Sequence, residues 1–91
     1  MTLSDFFVRV IDVFGKKTFT EMFCSTRKQK VVYARWIVAY YLRENLSYKQ
    51  WQIGNYLNKK RASINQYLTN FSYCYRYKEN FRNLADKVLK E

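Results

Sequence analysis

The sequence predicts an all-α protein, a compact bundle of about five to six helices in one domain spanning residues 1–91. Three observations lead there. Apolar residues recur at three- and four-residue spacing in nearly every segment, and no stretch sustains an alternation of period two. The 91 residues contain no proline and only two glycines, so few positions can interrupt a helix. A chain of this length can hold one modest core and has no room for a second domain.

Each element follows from a local signal. Ser4 is a candidate cap for a first helix in which Phe6, Phe7, Val10, Ile11 and Phe14 repeat at helical spacing up to Gly15. Thr18 and Glu21 have the spacing of a capping box for a short helix carrying Phe19, Met22 and Phe23, and Ser25 breaks the chain after it. A long helix is expected from about Lys28 to Glu44, with Val31, Ala34, Val38, Tyr41 and Leu42 on one stripe and Arg35 and Arg43 pointing away. Ser47 and Gln50 form a second capping-box pattern, opening a short helix through Leu57 that buries Trp51 or Ile53 together with Leu57. After a turn at Asn58 and Lys59, a helix from about Arg61 to Asn70 presents Ile64, Leu68 and Phe71 inward. A final helix over roughly Tyr75 to Lys90 does the same with Tyr77, Phe81, Leu84, Val88 and Leu89. No internal repeat or low-complexity stretch is present.

Composition narrows the function classes. The absence of histidine removes Ser/His/Asp and Cys/His nucleophile pairs and His-based zinc sites. Two glycines exclude a Gly-rich phosphate loop, and no carboxylate pair has catalytic spacing, so the chain is read as no enzyme and without a cofactor. Cys24 and Cys74 lack the companions a structural zinc needs, and reduced, buried thiols are expected. The longest apolar run, Trp36 to Leu42, is far short of the ~20 residues that span a bilayer, and Asp5 stands where a signal peptide would be basic. A cytoplasmic protein with no membrane association is expected.

Charge is distributed unevenly. Residues 1–24 are neutral, with Arg9, Lys16 and Lys17 balanced by Asp5, Asp12 and Glu21, so residues 25–91 carry the whole net charge of +10. The cations gather at Thr26 to Lys30, in Arg27, Lys28 and Lys30, and at Lys59, Lys60 and Arg61, with Arg35, Arg43 and Lys49 between. Mixed signs would serve solvation alone, so a polyanion is the expected partner.

Two short helices joined by about three residues, the second opening with basic and small polar residues, have the layout of a helix-turn-helix. A helix amino end offers free N–H groups and first-turn side chains, and DNA phosphates and groove edges are rich in acceptors. Lys59, Lys60, Arg61 and Ser63 occupy that end. Asn65 and Gln66 follow one turn in, and side-chain amides of this kind pair bidentately with adenine.

The segment IGNYLNKKRASI, Ile53 to Ile64, resembles the signature of the carboxy-terminal DNA-binding domain of the bacterial replication initiator DnaA, a Trp-repressor-like helix-turn-helix. That signature runs Ile-Gly, two variable residues, a large apolar residue, Gly, then a basic-Asp-His-Thr-Thr-Val cluster. RKQKVVYARWIVAYYLRE, Arg27 to Glu44, is similar to the family's long helix with its leading basic box, and ENFRNLADKVL resembles its last helix. The likeness implies double-stranded DNA as partner, Arg27 in the minor groove, Arg35 and Arg43 near the backbone, and Lys60, Arg61, Ala62 and Ser63 at the major groove. Here Lys60 replaces the acidic acceptor, Arg61 the histidine and Ala62 a hydroxyl, which shifts base preference from cytosine's amino group toward guanine's acceptors. No ATPase module fits the chain. The resemblance thus implies a stand-alone reader in replication or transcription control, of the sort a phage or mobile element carries.

Two other classes stay open. Tyr33, Tyr40, Tyr48, Tyr56, Tyr67, Tyr73, Tyr75 and Tyr77 are too many for the core, and exposed rings stack unpaired bases, which makes single-stranded DNA or RNA an alternative ligand. Residues 1–24, neutral and rich in Phe, either complete the core or form a face for a homodimer or another protein, which would suit an adaptor or inhibitor.

Overall fold

The neutral leading segment folds into α1 (Leu3–Phe14) and α2 (Lys16–Glu21), separated by Gly15 alone. In the computed structural model, which describes residues 2–90, α1 is capped two positions before the expected Ser4. Thr2 Oγ1 accepts the Asp5 N–H at 3.1 Å and the Asp5 carboxylate accepts the Thr2 N–H at 3.3 Å, closing a capping box. Gly15, at φ +97°, ends α1 and opens α2 in a conformation that side-chain-bearing residues rarely adopt. Because α2 begins at Lys16, Thr18 and Glu21 lie inside it and the box expected between them does not form. Phe6, Val10, Phe14 and Met22 are buried, and the Phe6 ring stacks on Tyr41 with centroids 3.8 Å apart. The leading segment therefore completes the core.

The long helix is α3 (Gln29–Leu46). It buries Val31, Ala34, Ile37, Val38, Ala39, Tyr41 and Leu42, well beyond the one stripe expected. A helix apolar around most of its circumference is a central one. α3 packs against each of the other five helices. Its carboxy end turns at Ser47, which takes the left-handed conformation (φ 56°), so Ser47 closes α3 and does not cap the next helix. That role passes to Lys49, whose N–H donates to Gln52 Oε1 at 2.7 Å.

α4 (Gln50–Leu57) and α5 (Arg61–Tyr77) are joined by Asn58, Lys59 and Lys60. Asn58 is left-handed (φ 58°), and the Lys59 N–H donates to the Gly54 carbonyl at 2.8 Å, turning the chain tightly back over α4. This return requires Gly54. A Cβ there would stand 2.6 Å from the Lys59 carbonyl oxygen, closer than side-chain carbons approach backbone. Ile53 and Leu57 face the core, which leaves Trp51, two residues from Ile53, on the outside.

α5 continues past the expected end at Asn70 to Tyr77, because Phe71 and Cys74 extend the buried stripe begun by Ile64. α6 (Glu79–Leu89) then folds back after Lys78. Arg82 fastens that corner, with Nε donating to the Tyr75 carbonyl at 2.9 Å and Nη2 to the Arg76 carbonyl at 3.1 Å. Tyr75 donates its hydroxyl to Asp86, and this bond, aided by burial, raises its pKa above the usual tyrosine value. Phe81 packs against Phe71, Tyr33 and Trp36, whereas Tyr77, expected inside, is exposed. Cys74 is buried as expected, but Cys24 is exposed, and both thiols are free. The Cα radius of gyration is 11.9 Å, close to the ~12 Å of a compact chain of this length.

Two substitutions test these packing arguments by denaturant unfolding. Gly54→Ala should destabilise by about 1 to 3 kcal/mol, because its new methyl meets backbone that cannot rotate away. Phe6→Ala should cost about 3 to 5 kcal/mol. A wild-type midpoint for Phe6→Ala would mean that α1 is dispensable to the core.

Candidate nucleic-acid interface

The leading half of α5 stands out from the bundle. Lys60, which precedes its first turn, and Arg61, Ala62, Asn65 and Gln66 are exposed, and Ser63 is half-buried. Ile64 alone in this half is fully buried, and it anchors the helix beneath. No side chain caps the amino end, so its N–H groups and partial positive charge face outward beside Lys60 and Arg61.

A basic depression lies on either side of this half-helix. One is lined by Arg43, Tyr48, Lys49, Trp51 and Arg61, bringing the end of α3 and the start of α4 against α5. A shallow extension runs from Arg43 along Gln50, Asn65 and Thr69, and Gln50 Nε2 donates to Asn65 Oδ1 at 3.3 Å. The other depression is lined by Arg27, Arg35, Lys59, Ser63, Gln66 and Asn70, with Trp36 and Tyr67 among them. There Gln66 Nε2 donates to Asn70 Oδ1 at 3.1 Å. Burial raises the pKa of the Tyr67 hydroxyl.

Arg35, expected to reach toward a ligand, is a buried structural residue with 5% exposure. Its Nε donates to the Met22 carbonyl at 2.9 Å, and Nη2 donates to the carbonyls of Glu21, at 3.2 Å, and Cys24. The guanidinium thereby collects carbonyls at and just beyond the end of α2, and a cation at a helix carboxy end is also favoured by the helix dipole. α3 is buried on more than the one stripe its periodicity suggests, because α2 packs against it on the side that carries Arg35.

Lys59 Nζ donates to the same Cys24 carbonyl, tying the α2–α3 loop to the α4–α5 turn. Burial and then the Arg35 cation hold the Lys59 ammonium below the ordinary lysine pKa. An ammonium has three donors, so two remain for a ligand. Lys28 pairs with Glu21 at 3.7 Å, and both Lys28 and Lys30 are exposed outside the two depressions.

The fold thus gathers Arg27, Lys59, Ser63 and Gln66 on one side of α5 and Arg43 and Arg61 on the other. It leaves Lys28 and Lys30 apart, and it keeps Arg35 in the wall of the Arg27 depression with its Nε and Nη2 committed to backbone carbonyls. Lys49, expected only as one of the basic residues between the two clusters, and Trp51, expected only as a candidate for the interior, join the site. The competition between Trp51 and Ile53 for the interior was visible in the sequence, and its outcome sends the indole to the surface.

No protein-family model matches the sequence, and neither a curated protein nor a solved structure matches it. Among the described residues, no group of three or more His, Cys, Asp or Glu side chains is placed to hold a metal ion. No helix among them is long and apolar enough to cross a membrane.

Arg35→Ala should lower stability by at least about 3 kcal/mol, since it leaves several carbonyls without their charged donor. Arg35→Lys should recover only part of this, because an ammonium cannot reproduce the guanidinium fork. Urea denaturation of the three proteins checks both. Unchanged stability together with lost DNA affinity would return Arg35 to the interface.

Proposed function

We propose that this protein binds duplex DNA, with the leading half of α5 in the major groove and the flanking depressions on the phosphate strands at either side. One observation carries the reading: an exposed helix amino end bearing Lys60, Arg61, Ser63, Asn65 and Gln66 lies between two basic depressions. An α-helix with side chains, about 10 to 12 Å across, matches the ~12 Å width of the major groove, and the strands bounding that groove carry the phosphates.

Arg61 is the base-reading candidate, through the O6 and N7 acceptors of guanine, with Asn65 and Gln66 following along the groove. Arg43, Lys49, Lys59 and Lys60 would hold phosphates and set the register. Arg27, which lines the same depression as Lys59, keeps the minor-groove role that the DnaA resemblance implies. The resemblance and the tight α4–α5 turn both support reading that pair as a helix-turn-helix. A stand-alone reader in replication or transcription control is the role that follows by analogy.

A general single-strand binder built on tyrosines is less well supported. Tyr33, Tyr40, Tyr48, Tyr67 and Tyr75 are half-buried at the core margin. Of the exposed ones, Tyr56 lies against Phe7, while Tyr73 and Tyr77 pack on each other in the trailing half of α5.

With about six phosphates neutralised, log affinity should fall against log salt with a slope near −5. Fluorescence anisotropy of a labelled duplex at several salt concentrations measures it, and a slope near zero would overturn the proposal. Arg61→Ala should cost about 1 to 3 kcal/mol on the preferred sequence and flatten sequence preference. Arg43→Ala should weaken all duplexes alike and reduce the slope by about one. Equal effects of both variants on every sequence would remove Arg61 from base reading.

A further inference from the structure

The depression between α3, α4 and α5 contains more than phosphate binding requires. Trp51 is 55% exposed in its wall, with Tyr48 beside it and Arg43, Lys49 and Arg61 around it. An indole left in water forgoes the stabilisation that its burial would bring. The other exposed aromatic residues pack on rings: Tyr56 on Phe7 at 5.9 Å, and Tyr73 with Tyr77 at 4.9 Å. Trp51 stands among cations instead.

We propose that this depression receives one unpaired nucleotide, its base stacked on Trp51 and its phosphates held by Arg43 and Lys49. Bases inside B-form DNA are already stacked on their neighbours, so a base that reaches the indole must come from an end, an overhang or a melted step. Arg61 belongs both to this depression and to the leading turn of α5, which places the unpaired nucleotide next to the duplex that α5 would read. The inference rests on that duplex reading and deepens it: the preferred ligand is a junction between double- and single-stranded DNA. The π face of a base accepts stacking whatever its identity, so the preference is for structure and carries little sequence information.

The test compares a blunt duplex, the same duplex with a short 5′ or 3′ single-stranded overhang, and the single strand alone, using the whole chain and labelled DNA. An overhang should tighten binding by about 5- to 150-fold, the range that stacking one base supports. Trp51→Ala should abolish that gain, Trp51→Phe should keep part of it, and circular dichroism should show both variants folded, since the side chain is exposed. In Trp36→Phe protein, where Trp51 is the remaining indole, overhang DNA should quench fluorescence more than blunt DNA. An overhang without effect, or equal losses on blunt and overhang duplexes in Trp51→Ala, would overturn the proposal. If no duplex binds but a single strand quenches Trp51 and Trp51→Ala abolishes its binding, duplex reading by α5 fails while the stacking site stands.

Discussion

The placement of the basic surface depends on the Arg35 guanidinium. It is buried inside the bundle, where a cation is costly unless it is hydrogen-bonded, and its Nε and Nη2 donate to the carbonyls of Glu21, Met22 and Cys24. These carbonyls lie where the neutral leading helices give way to the basic part of the chain. Arg35 therefore fixes that crossing in space, and the Cys24 carbonyl passes the constraint on to Lys59 in the α4–α5 turn. A buried cation thus links Arg27, at the start of the basic segment, to the turn that precedes α5.

A second constraint acts from the other side of the turn. Gly54 lets the Lys59 carbonyl come within a distance that any β-carbon would prohibit, and Asn58 supplies the left-handed residue that ends α4. The turn is thereby short, and Lys60 and Arg61 emerge at the helix start. Ile64 then pins α5 to the core, so the exposed polar residues before and after it project together. Rigid support of this kind matters for groove recognition, because flexible cations bind phosphate equally well wherever they lie and distinguish no sequence.

Much of the fold was legible in the sequence because helix periodicity and breakers are local signals. Gly15 and the long apolar pattern of α3 placed their elements directly. The caps were harder, since Thr2 and Ser4 stand two residues apart at the start of α1, where Asp5 completes the box with Thr2, and α2 starts at Lys16, ahead of Thr18. The extent of α5 was hidden for a related reason: Phe71 and Cys74 have the spacing of either one long helix or two, and Arg82 tips the balance by satisfying carbonyls at the corner. Of the candidate site, Arg27, Lys59, Ser63, Gln66, Arg43 and Arg61 come together around α5. Arg35 lines the same depression as Arg27 but is almost wholly buried, and no one-dimensional pattern reveals that the end of α2 supplies carbonyls to its guanidinium. Trp51 escaped for the converse reason, as hydrophobicity alone argues for the interior and only the proximity of Ile53 decides against it.

The most direct measurement of the account is a pair of interference maps on a duplex selected from a random pool by this protein. Guanine N7 methylation would mark major-groove contacts, and phosphate ethylation would mark backbone contacts. The account predicts one short block of interfering guanines with interfering phosphates on both strands at its two sides, as a helix between two basic depressions requires. Phosphate interference with no guanine signal, or phosphates clustered on one side alone, would contradict it.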